Sequence, residues 1–274
     1  MYVDKDKFIW YICIDGLDCS GKETFAKQVT SLTNEAFKQA KMDENVKVHL
    51  LSFPDYTTES GKQIKEMLQT DVKHRDNDKL VNLFAINRSE ALSKIEYTKY
   101  NIIIFDRFAT SNIIYGMLPY VIKAGFERTY ETDTMFYKLC KAAEKECIDS
   151  HIEIDKLVMF SRFGSESSAR RHEAMLAKKE NKDANERPAI QKYLSGIIDM
   201  YFNEDIIEEI WKNKNDDAMS TMINLGIDEM IRVKIGYTFS MSRSLKIIDA
   251  IVKMIDSTLT LTTGHTLLNK GVYQ

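Results

Sequence analysis

Hydrophobic and polar positions along this chain form two alternating patterns, short continuous apolar runs and longer stretches with helical spacing. The apolar runs predict strands, which lie at 8–14, 46–53, 101–105, 157–160 and 222–225. The helical spacing predicts helices between and after them, at 25–38, 59–70, 77–98, 109–124, 131–148, 188–213 and 241–257. Strands that alternate with helices predict an α/β fold, a doubly wound parallel five-stranded sheet flanked by helices.

The distribution of proline and glycine along the chain predicts one domain. Only three prolines occur and no Gly/Ser-rich linker divides the sequence. We therefore expect a single domain over residues 1–257, followed by a C-terminal tail at 258–274. Residues 161–187 are polar and heavily charged, which predicts either a solvated helix and loop or a mobile lid that carries cations over a phosphate site.

Bulk composition restricts the function classes. Of the 274 residues, 44% are hydrophobic and 29% are charged, and the net charge is −3. The overall field therefore gives no reason to expect binding to a nucleic acid polymer. The four cysteines lack metal-ligand spacing, so we interpret them as reduced thiols. Because no apolar run reaches membrane-spanning length and the N-terminus is charged, we expect a cytoplasmic protein with no membrane partner.

The segment from Cys13 to Thr24 predicts a phosphate-binding loop. An apolar strand leads into Gly16, and a helix begins near Lys22, directly after Gly21. Such a loop points backbone N–H groups inward and places the positive end of a helix dipole at the same point. The two glycines have the spacing that this loop needs, and the lysine would reach the β- and γ-phosphates of a nucleotide. A strand-to-helix turn that binds nothing is the alternative.

The residue after the lysine departs from the usual loop. A Ser or Thr hydroxyl normally binds Mg²⁺ at this position, but the chain has Glu23, followed by Thr24. The carboxylate of Glu23 could bind Mg²⁺ directly or through water, or it could face solvent on the first helical turn. Its role in metal binding therefore stays open.

Three further motifs follow the predicted strands or lie on a predicted helix. Phe53 and Pro54 end the second strand at the same sheet edge as the phosphate loop. Phe84 and Arg88 lie four residues apart on one helical face, where they could stack a base and bind its edge. Asp106 and Arg107 follow the buried third strand, and an unpaired charged pair there would be costly to bury. Facing the phosphate loop, Asp106 would lie near Mg²⁺ and Arg107 near a transferring phosphoryl group.

In identity and order these motifs resemble the thymidylate kinases of the P-loop nucleoside-monophosphate kinase superfamily. The family pattern is Gly-Leu-Asp in the loop, Phe-Pro after strand two, Leu-Phe-Ala-x-x-Arg, then Asp-Arg-Phe/Tyr-x-x-Ser-Asn-x-x-Tyr. This chain has the matching residues at 16–18, 53–54, 83–88 and 106–115. The resemblance covers residues 8 to about 203, and implies a P-loop kinase fold with a lid.

The resemblance implies a role for each matching residue. For ATP, the implied site is the loop itself, Gly16, Cys19, Ser20, Gly21, Lys22, Glu23 and Thr24. For dTMP, Asp18 would contact the 3′-hydroxyl or the phosphate surroundings, Phe84 would stack on the pyrimidine, Arg88 would donate to O4, and Asn112 would touch the base. Tyr115 would crowd the position of a ribose 2′-hydroxyl, and Arg107 would clamp the acceptor phosphate. The implied acceptor site also includes Phe53, Pro54, Ser111, Asp183 and Glu186.

The family also needs a further cation, which the loop does not offer because Cys19 and Ser20 are uncharged. The predicted lid would supply it, and Arg170, Arg171 and Arg162 are the candidates, with Arg170 preferred as a catalytic residue beside Lys22, Arg107 and Asp106. Mg²⁺ would accompany ATP, with Glu23 and Asp106 as metal ligands to be tested. By family analogy the protein would be a homodimer.

The implied activity is transfer of the ATP γ-phosphate to dTMP, which gives dTDP in nucleotide biosynthesis. Two alternatives stay open. One is a kinase with broader specificity for deoxynucleoside monophosphates, because the base pocket cannot be read from sequence. The other is a catalytically weak nucleotide-binding module, for which Glu23 and the non-aromatic Asn185 in the predicted lid are the arguments.

Overall fold

The computed structural model describes residues 9–39, 47–163, 166–178, 188–228 and 230–235. Within them the strands are β1 Trp10–Gly16, β2 Val48–Ser52, β3 Ile102–Asp106, β4 Lys156–Phe163 and β5 Ile231–Ile235. The helices are α1 Lys22–Gln39, α2 Glu59–Gln69, α3 Asn77–Leu92, α4 Ala109–Ala124, α5 Tyr130–Asp149, α6 Glu166–Lys178, α7 Pro188–Tyr201, α8 Glu204–Lys212 and α9 Met219–Asn224, with a short 3₁₀ turn at Tyr97–Lys99. No helix in these ranges is both long enough and apolar enough to cross a membrane.

The five strands form one parallel sheet in the order β2-β3-β1-β4-β5. β1 lies in the middle, with Trp10 opposite Ile102 of β3 and Gly16 opposite Phe160 of β4. All five residues of β3 are buried, as expected of an apolar strand covered by helices on both faces. The carboxyl ends of β1 and β3 therefore meet at the middle of one sheet edge, where doubly wound sheets bind ligands. The predicted fold class is confirmed.

Helices α4 and α5 pack closely together beside that edge, and local signals determine where each begins and ends. α4 ends at Gly125, whose φ of 65° is a left-handed conformation that glycine adopts without strain. Thr129 then caps α5: its hydroxyl accepts from the Thr132 N–H at 3.2 Å, and the Thr132 hydroxyl accepts from the Thr129 N–H at 2.8 Å. This capping box sets the start of the helix that carries Glu146.

The predicted strand at 222–225 is wrong. Residues Met219–Asn224 form α9, and the fifth strand is Ile231–Ile235. A short apolar run does not distinguish a strand from a helix by itself. Here the hydroxyls of Ser220 and Thr221 donate to the carboxylate of Glu144 on α5, at 2.6 and 2.9 Å, which fits a helical turn packed on another helix.

One predicted helix is divided in two, one is shorter than expected, and one falls outside the described residues. The prediction at 188–213 divides into α7 and α8, because the side chain of Asn203 accepts from the Asp205 N–H at 3.0 Å and caps a new helix. The prediction at 77–98 ends as α-helix at Leu92. The helix predicted at 241–257 and the tail at 258–274 lie outside the described residues.

Candidate nucleotide and acceptor site

The predicted phosphate loop lies between β1 and α1, as the sequence indicates. Gly16 and Gly21 have φ values of 125° and 93°, which favour glycine. A Cβ atom on Gly16 would lie 2.1 Å from the carbonyl oxygen of Phe160, so no side chain fits there. Cys19 also has a positive φ, 54°, and is half-buried. The backbone therefore turns sharply from the middle strand into the N-terminus of α1, which is the geometry of an anion-binding loop.

Lys22 folds inward over this loop. Its Nζ donates to the Leu17 carbonyl oxygen at 2.5 Å, and the residue is buried. Burial, together with the positive charge of Arg107 nearby, lowers the pKa of Lys22 to about 8. The Ser20 hydroxyl is buried and has no hydrogen-bond partner among the described residues. A phosphate oxygen at the loop would satisfy both groups.

The predicted acceptor side centres on Asp18 and Arg107. The Arg107 guanidinium donates to the Asp18 carboxylate through Nη2 and to the Tyr115 hydroxyl through Nη1 at 3.0 Å. Tyr115 in turn donates to Asp18 at 2.9 Å. Burial opposes ionisation of Asp18, but the charges of Arg107 and Lys22 outweigh it, so the pKa of this carboxyl lies below its ordinary value. Three predicted acceptor residues are thus brought together beside the phosphate loop.

Asp15 lies beneath this group and is not among the residues predicted from sequence. It is fully buried and accepts from the Thr110 and Ser111 hydroxyls at 2.7 and 2.8 Å, while Arg107 Nη1 lies 3.9 Å away. The hydroxyl of Ser111, predicted to lie in the acceptor site, is therefore directed to Asp15. The sequence does contain a signal for Asp15, because a carboxylate at the end of a buried strand needs partners for its charge.

Gln191 and His172 complete the shell around Asp18, and no local pattern predicts either. Gln191 Nε2 donates to the Asp18 carboxylate at 2.7 Å, and its Oε1 accepts from the Asp18 N–H at 2.9 Å. His172 on α6 contacts the Asp18 carbonyl oxygen at 2.5 Å through Nε2. Burial lowers the pKa of His172, which favours a neutral ring that donates from Nε2 to this carbonyl. The predicted lid segment thus reaches the phosphate loop.

The two predicted metal ligands have different surroundings. Glu23 is exposed and pairs with Lys27 at 2.5 Å, and Thr24 is exposed as well. Asp106 is buried, and its carboxylate accepts no hydrogen bond from the described part of the chain. Burial raises the pKa of Asp106, although Arg107 and Lys22 oppose the shift. Of the two, only Asp106 fits an oxygen ligand for Mg²⁺, and the described residues hold no cluster of three or more acidic, His or Cys side chains that would bind a metal alone.

The predicted base-binding residues lie on α3 and α4. Phe84 is half-buried and packs, as Met67 does, against the small apolar cluster of α2 and α3. Arg88 is buried, and its Nη1 lies 3.5 Å from Asn112 Oδ1. Its Nε and Nη2 donate to the carboxylate of Glu146 at 2.5 and 2.7 Å. Glu146, on α5, is not predicted from sequence, because nothing in its local pattern distinguishes it from a solvated helix charge.

The side chain of Asn87, which belongs to the motif at 83–88, holds the turn after β2. The peptide bond between Phe53 and Pro54 is cis, and the Phe53 ring packs on Phe105 and Phe108. Asn87 is fully buried, accepts from the Asp55 N–H at 2.7 Å and donates to the Asp55 carbonyl oxygen at 3.0 Å. The turn predicted for the acceptor site is thereby tied to the helix that carries Phe84 and Arg88.

The lid residues are described only in part. Arg170 is exposed and pairs with Glu166 on its own helix at 2.5 Å, so the structure does not place it at the phosphate loop. Asp183 and Glu186 lie outside the described residues, as do the side chains of Arg162 and Arg171.

A parallel sheet in the order β2-β3-β1-β4-β5, with a glycine-bounded phosphate loop after its middle strand, defines a P-loop kinase fold. The thymidylate kinase from Candida albicans is a solved structure of this kind. Its TM-score to this chain is 0.51, with 18% sequence identity and 92% of each chain covered. At this identity the similarity concerns the fold alone.

Sequence comparisons then show which family part of the chain resembles. Residues 14–135 match the family model for thymidylate kinase. The thymidylate kinase of Schizosaccharomyces pombe is 36% identical over 108 residues, which are 38% of this chain and 47% of that protein. A protein of Invertebrate iridescent virus 6 that is named as a thymidylate kinase is 32% identical over 108 residues, 39% of this chain and 46% of that protein. The matched segment is similar to the thymidylate kinase family, which confirms the family resemblance predicted from the motifs. The chain spans about half the length of these curated relatives.

Proposed function

We propose that this protein transfers the γ-phosphate of ATP to dTMP, forming dTDP and ADP. The observation that carries the proposal is the meeting of Lys22 and Arg107 at one sheet edge, joined through Asp18. Lys22 belongs to the loop that would hold the donor phosphates, and Arg107 follows β3 beside Tyr115, on the acceptor side. Two cations from different strand ends suit two anionic substrates that must approach each other.

Phosphoryl transfer mainly requires alignment and neutralisation of charge. Lys22 would leave the Leu17 carbonyl for the donor phosphates, and Arg107 would leave Asp18 for the acceptor phosphate. In related chemistry a well-placed arginine is worth about 10³–10⁵ in rate, or roughly 4–7 kcal/mol of barrier. No general base is needed, because the acceptor phosphate is already ionised.

Mg²⁺ belongs to the proposal as the companion of ATP. Bound there, it would neutralise charge on the phosphate oxygens. Asp106 would hold it, directly or through water, because this buried carboxylate faces Lys22 and Arg107 and lacks hydrogen-bond donors in the described part of the chain. Glu23 is less suited, since it is exposed and paired with Lys27.

Recognition of the base and sugar would use the second half of the site. Phe84 would stack on the pyrimidine, with Arg88 and Asn112 at its edge, and Tyr115 beside Asp18 would select against a ribose 2′-hydroxyl. Asp183, Glu186 and a lid arginine enter the proposal from the family resemblance alone. So do a single domain over residues 1–257, a homodimer and a cytoplasmic location.

The test is release of ADP from ATP and Mg²⁺ in the presence of dTMP, dUMP, dCMP, dGMP or UMP. We expect release that depends on dTMP and exceeds the hydrolysis background. Lys22→Ala should remove most of this turnover while the circular dichroism spectrum stays unchanged. No acceptor-dependent release would refute the kinase activity, and equal turnover of all the deoxynucleotides would support the broader-specificity alternative.

A further inference from the structure

A buried ion pair links the base site to helix α5. Arg88 on α3 donates through Nε and Nη2 to the two carboxylate oxygens of Glu146, at 2.5 and 2.7 Å. The Arg88 side chain is 2% exposed and that of Glu146 is 15% exposed. The planar fork of a guanidinium matches a carboxylate in this two-bond arrangement, which fixes the orientation of both groups.

The two hydrogen bonds to Glu146 determine which donor of the Arg88 guanidinium is left for a ligand. With Nε and Nη2 engaged by Glu146, Nη1 is directed to Asn112, whose Oδ1 lies 3.5 Å away. The Phe108 ring lies 5.7 Å from the guanidinium carbon and covers one face of the group. A guanidinium has donors and no acceptor, so the atom that it meets in the base site must be an acceptor.

We propose that Glu146 is a positioning residue that holds Arg88 as a fixed hydrogen-bond donor, so that discrimination between a carbonyl and an amino group at C4 of the pyrimidine depends on Glu146. This inference deepens the proposed function and rests on it. Thymine and uracil carry this carbonyl. Cytosine has an amino group there, so its N–H donors would face the fixed N–H donors of Arg88 with no acceptor between them. A site built this way discriminates strongly, because the mismatched base leaves buried polar groups unpaired.

A structural role alone does not account for the pair. A buried ion pair contributes little net stability compared with apolar residues of similar volume, because both charges lose their hydration. Glu146 and Arg88 are 58 residues apart and come from different helices, so the pair also does not arise from local helix spacing.

The test is the Glu146→Gln variant, with kcat and KM measured for dTMP and for dCMP. Gln keeps the shape of the side chain but offers one acceptor and one amide donor, so the fork is lost. We expect the KM for dTMP to rise about tenfold to hundredfold with kcat within about threefold, and the ratio of kcat/KM for dTMP over dCMP to fall at least about tenfold. Glu146→Asp, which retains a carboxylate, should restore part of the ratio.

Glu144→Gln is the matched control. Glu144 is a second buried carboxylate on α5, and it accepts from Ser220 and Thr221 on α9. Its replacement should lower the melting temperature and leave the dTMP to dCMP ratio unchanged. If Glu146→Gln lowers kcat/KM equally for both acceptors, the pair only stabilises the fold and the proposal is wrong.

Two further outcomes keep the proposals separate. If Glu146→Gln does not fold, Arg88→Lys provides the same test, because lysine keeps the charge but has no fork. An unchanged acceptor ratio in Arg88→Lys would overturn the role of the pair. Absence of any turnover by the unmodified protein refutes the kinase activity itself, whereas equal turnover of dTMP and dCMP refutes only the selection by Glu146 and Arg88.

Discussion

Replacement of Arg107 by methionine tests the charge balance of the whole site. Arg107 bonds to Asp18, lies 3.9 Å from Asp15 and interacts with the charge of Asp106. Methionine retains much of the aliphatic length of the side chain and removes the charge. The φ of 71° at this position is equally unfavourable for both residues, so the backbone strain is the same in the two proteins. Among the described residues, the change therefore leaves the carboxylates of Asp15, Asp18 and Asp106 with Lys22 as the cation nearby.

The expected loss of stability follows from the burial of the pair. The Arg107 and Asp18 side chains are 18% and 14% exposed, so solvent screens the interaction only partly. Removing one partner of a buried pair costs about 3–5 kcal/mol. Because Tyr115 and Gln191 still donate to Asp18, we expect the lower part of that range, about 3 kcal/mol, or roughly 6–12 °C in melting temperature for a chain of this size.

The pH dependence gives the sign of the effect. In the unmodified protein the folded pKa of Asp18 lies below its ordinary value of 3.8, so its ionised form stabilises the fold above pH 3.8, and this contribution is lost as the pH falls through the folded pKa. Without Arg107, burial would dominate and raise the folded pKa. The variant would then lose stability as the pH rises. The difference between the two proteins should therefore be largest near pH 7 and shrink towards pH 4.

Urea denaturation of both proteins at pH 7 and at pH 5 measures this difference, and ADP release measures turnover, which should fall by at least about 10³-fold. Arg128→Met is the control, since Arg128 also contacts two carboxylates, Asp133 at 2.8 Å and Glu209 at 3.3 Å, away from the site. It should cost less stability and leave turnover unchanged. A loss of stability in Arg107→Met that is the same at both pH values would refute the reasoning.

Three other predictions concern the loop and the acceptor side. Because Lys22 has a pKa of about 8 and phosphate favours its charged form, ATP affinity should fall as the pH rises above 8, and binding at pH 8 should take up protons. Calorimetry in buffers of different ionisation enthalpy measures this uptake, and its absence would contradict the burial of the lysine. Glu23→Thr should preserve or improve Mg²⁺-dependent turnover, since Glu23 is exposed and paired with Lys27; total loss would show that the carboxylate has its own task. Tyr115→Ala should raise activity on UMP relative to dUMP, and an unchanged ratio in the ADP assay would remove this residue as the sugar filter.

Local signals predict the phosphate loop and the strand ends well. Gly16, Gly21 and Lys22 act through backbone conformation and reach, both of which depend on spacing within a few residues. Asp106 and Arg107 follow the most continuous apolar run, and in a parallel sheet the end of that run must lie at the same edge as the loop. Their meeting could therefore be predicted before any coordinates.

The fifth strand could not be predicted in the same way. The apolar run at 222–225 is short, and its helical state depends on a carboxylate of α5 that accepts from Ser220 and Thr221. Residues 231–235 alternate between apolar and basic side chains, the pattern of a half-buried strand, and they pair with β4 at one side of the sheet. Contacts with distant parts of the chain therefore determine that residues 231–235, and not 222–225, form the fifth strand.

Local sequence patterns do not predict contacts between side chains that are far apart in the sequence. Gln191 is 173 residues from Asp18, His172 is 154 residues away, and Glu146 is 58 residues from Arg88. Each is one polar residue among many on a helix surface, and only the packing of that helix brings it to the site. Sequence motifs predict the groups that would touch substrates, and the structure adds groups that hold those side chains in place.

These orienting groups bear on how an acceptor would enter. Arg107 is neutralised by Asp18, so a phosphate must compete with a carboxylate that already holds the guanidinium. A phosphate carries up to twice the charge, and Tyr115 and Gln191 would still donate to Asp18 on release, at 2.9 and 2.7 Å. Gln191 belongs to α7, which follows the predicted lid. On the proposed function, the exchange of Arg107 from carboxylate to phosphate therefore depends on the placement of α7, and acceptor affinity should respond to changes at Gln191 that leave the phosphate loop intact.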